Sequence, residues 1–204
     1  MTLQLARRLQ AGSYNSLFRI MPNPAQLGVL LLCIDLQPVF LQAIGEGAKL
    51  QQRCALAIAA AYGLGLPVAF TEQVPQKLGG TAPELLALAG KAPAWGKSSF
   101  SALADDGIGD SLRIRNLDHL LICGLETSVC VYQTALDAID AQYQVTVLSD
   151  CVGARRPDDA QVALAALVQA GAHVLPAETV FYAMLGDAKH PFFKTFTTLV
   201  KNYA

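Results

Sequence analysis

Charge and histidine are scarce in this sequence. Only 15% of its residues are charged, the formal net charge is −1, and the histidines number three, His119, His173 and His190. That near-neutral balance excludes the basic footprint of a nucleic-acid binder and the polybasic anchor of a membrane-surface protein. Between Gln37 and Arg115 there is no histidine at all, so this long segment has no imidazole to offer a zinc-type ion. CxxC pairs are missing too. The five cysteines, Cys33, Cys54, Cys123, Cys130 and Cys151, are odd in number and sit mostly in apolar runs, which reads as free thiols in a reducing, cytoplasmic setting. No apolar run of membrane-spanning length is left whole: Gly63, Gly65 and Pro67 cut "CALAIAAAYGLGLPVAF" into helix, turn and strand. Acids are absent from the first 34 residues, which hold Arg7, Arg8 and Arg19 with Ser13 and Ser16 among them. Two readings stay open for residues 1–27: an N-terminal arm packed on the domain or on a neighbour, or an organellar, mitochondrial-type transit segment.

What is present is apolar. Hydrophobic residues make up 53% of the 204, enough for one domain over residues 28–204 with a sizeable core, and more than a monomer's surface ordinarily needs. Homo-oligomerisation, as a dimer, tetramer or larger, is therefore expected, with a small-molecule substrate as the other partner. "GVLLLCID" has the continuous apolar character of a strand buried on both faces, and "LPVAFTEQ", "DHLLICG", "YQVTVLSD" and "HVLPAE" supply further strands, with "WGKSSF" as a strand edge. Between them lie helical segments: "GAKLQQRCALAIAAAYGLG", "APELLALAG", "VCVYQTALDAIDAQ", "PDDAQVALAALVQAGA" and the tail "HPFFKTFTTLVKN". Strand and helix alternate throughout. The fold class expected is α/β: a three-layer α/β/α arrangement around a mainly parallel, doubly wound, Rossmann-like six-stranded sheet.

Ligands of such sheets bind beyond the carboxyl ends of the strands. Asp35 ends the first strand, Glu72 and Gln73 the second, Lys97 the third, and "GLETSVC" follows the fourth. Cys130 falls in the first turn of the expected helix, where unpaired N–H groups and the macrodipole favour an anion; a thiol there should ionise more readily than usual. The same N–H groups could hold an oxyanion at ~3 Å. Read alone, Cys130 is equally a small buried hydrophobe, Asp35 a turn cap, Lys97 a solvated surface lysine, and Glu72 and Gln73 a strand-end turn. Together, an acid, a lysine and a helix-start cysteine make the set a covalent hydrolase requires.

The order of "CIDLQPVF", "GKSSFS" and "GLETSVCVYQTALDA" resembles the isochorismatase-like cysteine hydrolases. "TEQVPQKLGGTAPEL" and "AETVFYAMLGDAKHPFFK" are similar to the branch of isochorismatase-domain proteins and related bacterial hydrolases of unassigned substrate, and the likeness runs over roughly residues 28–201. The resemblance implies a catalytic triad of Asp35, Lys97 and Cys130, and an oxyanion hole from the backbone N–H groups of Glu126 and Cys130. It also implies a non-proline cis peptide between Leu125 and Glu126, and substrate contacts from Gln37, Phe40, Glu72, Gln73, Trp95 and Thr127. Where nicotinamidases of that family hold a metal through an Asp and histidines, this chain has "FTEQVPQKLGG", so neither a metal nor another cofactor is expected.

The implied activity is a metal-independent cysteine hydrolase cleaving a C–N bond, amide or ureido, of a small molecule through a thioester. Alternatives are an isochorismatase-fold protein without useful turnover, acting in binding or assembly, and a thiol redox sensor that would pair Cys130 with Cys123. His119 and His173 open strands and are expected at the surface. His190, before Pro191, suits capping or a subunit contact. The other four cysteines are expected in the core, and Arg155 and Arg156 in an exposed loop.

Overall fold

The computed structural model describes residues 28–203. The expected N-terminal arm, residues 1–27, lies outside them. Along the chain run β1 (Val29–Ile34), α1 (Pro38–Gln42), α2 (Gly47–Gly63), β2 (Val68–Gln73), α3 (Pro75–Leu78), α4 (Pro83–Leu88), β3 (Ala94–Lys97), α5 (Asp106–Arg113) and β4 (His119–Leu125). A π-helical turn (Thr127–Val131) leads into α6 (Tyr132–Asp140), β5 (Gln144–Gly153), α7 (Pro157–Ala170), β6 (His173–Leu175), α8 (Ala177–Leu185) and α9 (Phe193–Asn202). The strands form one sheet in the order β3-β2-β1-β4-β5-β6, every neighbouring pair parallel. The chain starts mid-sheet at β1, winds outward to β3, returns to place β4 on the other side of β1, and winds outward again. The direction of winding reverses between β1 and β4, and a ligand crevice belongs at that switch point.

Side chains alternate across a strand, and here both faces are covered. Val29, Leu31 and Cys33 enter a core with Leu56 of α2, Leu85 of α4, Phe181 of α8 and Phe196 of α9. Leu30, Leu32 and Ile34 enter the opposite core with Ile108 and Leu112 of α5, Ala135 of α6 and Leu167 of α7. Two layers on one strand explain why β1 has no polar position until it ends. Cys33 and Cys123 are register partners on β1 and β4; with Cys54 and Cys151 they belong to the first core, and all five cysteines are free and buried. Cys130 belongs to the second, so the sheet separates it from Cys123.

Besides the short α1 and α3, two longer helices escape a reading by apolar period. α5 contains two glycines, but the Asp105 side chain accepts from the Ile108 N–H at 3.2 Å, and Ile108 and Leu112, one turn apart, are buried. α8 follows the very short β6 almost at once and stops at Gly186, whose φ is 73. His119 is not at the surface as expected: it is buried, its Nε2 lies 2.8 Å from Thr146 Oγ1, and burial, with the neighbouring His173, lowers its pKa to about 4. Its position at the start of a central strand, covered on both faces, is the reason. His190 acts as a local cap, its Nδ1 accepting from the Phe192 N–H at 3.2 Å. No helix among the described residues is long and apolar enough to cross a membrane.

Candidate active site

The candidate site begins where β1 stops. Asp35 has φ 50, in the left-handed region that non-glycine residues seldom occupy, and its backbone is fixed on both sides. Its N–H donates to Thr71 C=O (3.0 Å), and its C=O accepts from the Gln37 N–H (2.7 Å). The carboxylate, in a residue only 1% exposed, accepts from Thr71 Oγ1 at Oδ1 (2.8 Å) and from Lys97 Nζ at Oδ2 (2.7 Å). Lys97, the last residue of β3, is 3% exposed. Its ammonium donates to Asp35, to Gln73 Oε1 (2.6 Å) and to Ser99 C=O (3.3 Å), so three donors meet three acceptors. A buried ion pair is tolerated under that condition.

Cys130 joins them from the far side of the switch point. The expected single helix from Val129 does not form: Val131 N–H bonds to Glu126 C=O at 3.1 Å, five residues back, and this wider π turn carries the cysteine before α6 begins. Cys130 is 7% exposed, and its thiol lies within electrostatic reach of the Asp35 carboxylate, the Lys97 ammonium and the Glu126 backbone N–H. Burial and the adjacent Asp35 charge push this thiol up to about 12, against the lowering influence of Lys97 and the Glu126 N–H. The acidified thiol expected at a helix start is thus corrected. Desolvation beside a carboxylate outweighs the dipole of one turn, and the resting group is a thiol.

The Leu125–Glu126 peptide is a second correction. No cis peptide occurs among the described residues, so this bond is trans. Gly124, near the end of β4, has φ 123, and beyond Leu125 the chain enters the π turn through Glu126 at φ −70 and ψ 132. A Cβ on Gly124 would stand 2.0 Å from the Ile34 carbonyl oxygen, so the main chains of β1 and β4 are in contact next to the Asp35 and Glu126 turns.

The other site residues expected from the sequence divide into scaffold and periphery. Gln73 Nε2 donates to Ser98 C=O (2.9 Å), while its Oε1 accepts from Lys97. Gln37 accepts from the Gln73 N–H (2.7 Å) and donates to Gln73 C=O (3.1 Å) and Gly79 C=O (2.5 Å). Glu72 accepts from the Thr81 N–H (2.7 Å) and Thr81 Oγ1 (2.9 Å), closing the loop after β2. Phe40 packs against the α2-side core. Trp95 lies under the Arg115 guanidinium, 5.8 Å from the ring centroid. Thr127 is fully buried, and its Oγ1 has no hydrogen-bond partner among the described residues.

Sequence reading gave no sign of Thr71, one of the two residues that bond the Asp35 carboxylate in place. The only signal was its spacing, two residues before Gln73 on the same face of β2. The reading also missed the side chain of Glu126, which accepts from Arg155 Nε at 2.7 Å and ties the π turn to the loop before α7. Arg156 pairs with Asp159, as suits an exposed loop. An open cleft of about 940 Å³ lies beside the π turn, with Ile44, Leu50, Arg53, Thr127, Asp150 and Arg155 in its wall. Asp35, Lys97 and Cys130 do not line it. No group of three or more His, Cys, Asp or Glu side chains among the described residues is arranged to hold a metal ion. At the end of β2, Glu72 and Gln73 are engaged with Thr81 and Lys97.

A base acting on a thiol and a cation fixed on the base form a proton-transfer pair with charge support, and an N–H that favours the ionised sulfur can meet developing negative charge. The sequence matches the isochorismatase domain over residues 29–179. It is 38% identical over 180 residues to isochorismatase domain-containing protein 2 of Xenopus laevis, covering 88% of this chain and 86% of the relative. Its structure is similar to that of the MAR1 ribonuclease of Caenorhabditis elegans, with a TM-score of 0.81 and 30% identity over 89% of this chain and 93% of the other. It shares the fold of Escherichia coli YcaC, an octameric hydrolase of unknown specificity, with a TM-score of 0.75 and 22% identity over 86% and 93% of the two chains. Fold, matched span and relatives coincide: this chain belongs to the isochorismatase family and carries the fold of its hydrolases.

Proposed function

We propose that the protein is a cysteine hydrolase that cleaves the C–N bond of a small amide or ureido compound through a thioester, without a metal. The observation that carries this reading is the buried cluster in which one carboxylate, Asp35, bonds the Lys97 ammonium at 2.7 Å and acts electrostatically on the buried Cys130 thiol. A thiol pKa of about 12 sets the order of events. Cys130 Sγ bonds to the carbonyl carbon as its proton passes to Asp35, so a free thiolate never accumulates. The π electrons of the C=O become an oxyanion, which the N–H groups of Glu126 and Cys130 receive. Its collapse restores the C=O and breaks the C–N bond, with the Asp35 proton going to the leaving nitrogen. Water then adds to the thioester, giving a proton to Asp35; breaking the C–S bond releases the acid and returns that proton to the sulfur. Lys97 keeps its positive charge throughout and supports whichever neighbour is anionic.

Homo-oligomerisation belongs to the same proposal. Ile114, Val162 and Val168 are exposed apolar side chains, and YcaC assembles as an octamer. Light scattering on the purified protein reads the assembly directly.

A panel of small amides and ureido compounds, assayed for ammonia or amine release, tests the chemistry. Wild type should turn over at least one compound, Cys130→Ala should lose about 10³-fold or more, and hydroxylamine should intercept the acyl group. Equal turnover by Cys130→Ala would remove the nucleophile assignment. RNA is the control substrate, because the worm relative is named a ribonuclease. The net charge of −1 offers no basic track for a polynucleotide, and no cleavage is expected.

A further inference from the structure

We infer that Gln73 is a positioning residue for this chemistry: its neutral carboxamide holds the Lys97 ammonium on Asp35, with Gln37 holding Gln73 in turn. The inference rests on the role given to Lys97 above. A lysine head group is a point charge on a flexible stem with three rotatable donors, so its direction is set by the acceptors around it. Here those acceptors are one carboxylate and two neutral oxygens. Of the neutral pair, Gln73 Oε1 at 2.6 Å is far closer than Ser99 C=O at 3.3 Å. Removing Oε1 leaves a buried N–H without its partner and frees the ammonium to turn toward other carbonyls, among them Ser98, which Gln73 Nε2 now occupies.

The carboxamide also cannot flip. Its Nε2 must face Ser98 C=O, which keeps Oε1 toward Lys97. The backbone beneath it is clamped by Gln37, which bonds both the N–H and the C=O of Gln73 and so continues β2 after β1 has turned away. Neutrality is the chemical content of the choice. A carboxylate of the same size at position 73 would keep a hydrogen bond but divide the lysine charge between two acids. Less of that charge would then act on Cys130, whose ionisation Lys97 assists.

The test reads Cys130 alone and needs no substrate. Second-order alkylation of the full chain by iodoacetamide is followed at the Cys130 peptide by mass spectrometry from pH 7 to 10, with the four core cysteines as internal controls. Gln73→Glu should slow the reaction about tenfold at each pH, the equivalent of one pKa unit. Gln73→Leu, which keeps the bulk and loses the acceptor, should slow it in the same direction, and Gln37→Met by less. Folded variants that alkylate at the wild-type rate with the wild-type pH dependence would overturn the inference, even with a lowered melting temperature. If Gln73→Leu fails to fold, Gln73→Glu decides. Failure of the amide panel would refute the hydrolase reading and leave this result standing, so the two failures are distinguishable.

Discussion

Replacing Lys97 by methionine isolates the ion pair on which the site depends. The stem stays about the same length, but the carboxylate of Asp35, 1% exposed, keeps only the Thr71 hydroxyl as a hydrogen-bond partner. Breaking a buried pair from one side costs about 3–5 kcal/mol, because the remaining charge is stranded away from water. In a chain of this length that lowers the melting temperature by roughly 6–20 °C. Asp35→Asn strands the ammonium instead, though Gln73 and Ser99 still accept from it, so the loss should fall near the lower end of that range. The double variant Asp35→Asn/Lys97→Met buries no charge and should lie within about 1–2 kcal/mol of wild type. Urea titrations of all four proteins give the cycle, with equal m values as the check that the end states match. A coupling energy above about 2 kcal/mol is expected. Additivity within about 0.5 kcal/mol would refute the reasoning, since two residues bonded at 2.7 Å in a dry site would then be acting independently.

The thiol carries a pH signature. Below about pH 8.5 both folded and unfolded chains keep the Cys130 proton. Above that value the unfolded chain loses it while the native residue, at about 12, retains it, so the unfolded state binds fewer protons and stability falls as pH rises. Melting temperatures of wild type and Cys130→Ala from pH 8 to 10.5 should therefore converge or cross, the variant showing the shallower decline; parallel curves would contradict the shifted pKa. Arg53→Met should cost about 2–4 kcal/mol in urea, because the guanidinium, 15% exposed, joins Asp150 and Glu178. Arg155→Met should cost under about 1 kcal/mol, its side chain being 66% exposed despite a similar distance to Glu126. Gly124→Ala should cost more than about 4 kcal/mol or yield no folded protein, read from soluble expression and thermal melting, as its Cβ would overlap the Ile34 carbonyl.

Much of the architecture was legible because strong local signals coincide with it. The unbroken "VLLLCI" of β1 is what a strand covered on both faces requires, and the alanine-rich α2 and the Pro157 start of α7 mark themselves. Asp35, Lys97 and Cys130 were legible as polar punctuation at strand ends and as a motif order. Less legible were features set by tertiary distance. Whether Gln37 and Gln73 face a substrate or each other depends on the spacing of β1 and β2 beyond their last paired residues. The thiol pKa depends on burial beside a carboxylate 95 positions earlier in the chain, and no local dipole argument contains that quantity. His119 was misread because a polar residue opening a strand looks terminal in sequence even when its strand is the sheet's interior.

The contact between Gly124 and Ile34 has a consequence for divergence within such a fold. Neighbouring strands of a sheet are about 4.8 Å apart, and β1 and β4 hold that pitch up to Ile34 and Gly124. The acid follows one of these strands immediately, and the thiol follows the other after a single turn. Their separation is therefore a ruler ruled by peptide units, and side-chain substitution elsewhere cannot lengthen it. Loops and neighbouring subunits around the crevice can change freely and reshape what is admitted. The reacting pair would be inherited at a fixed gauge, which lets one sheet serve many substrates.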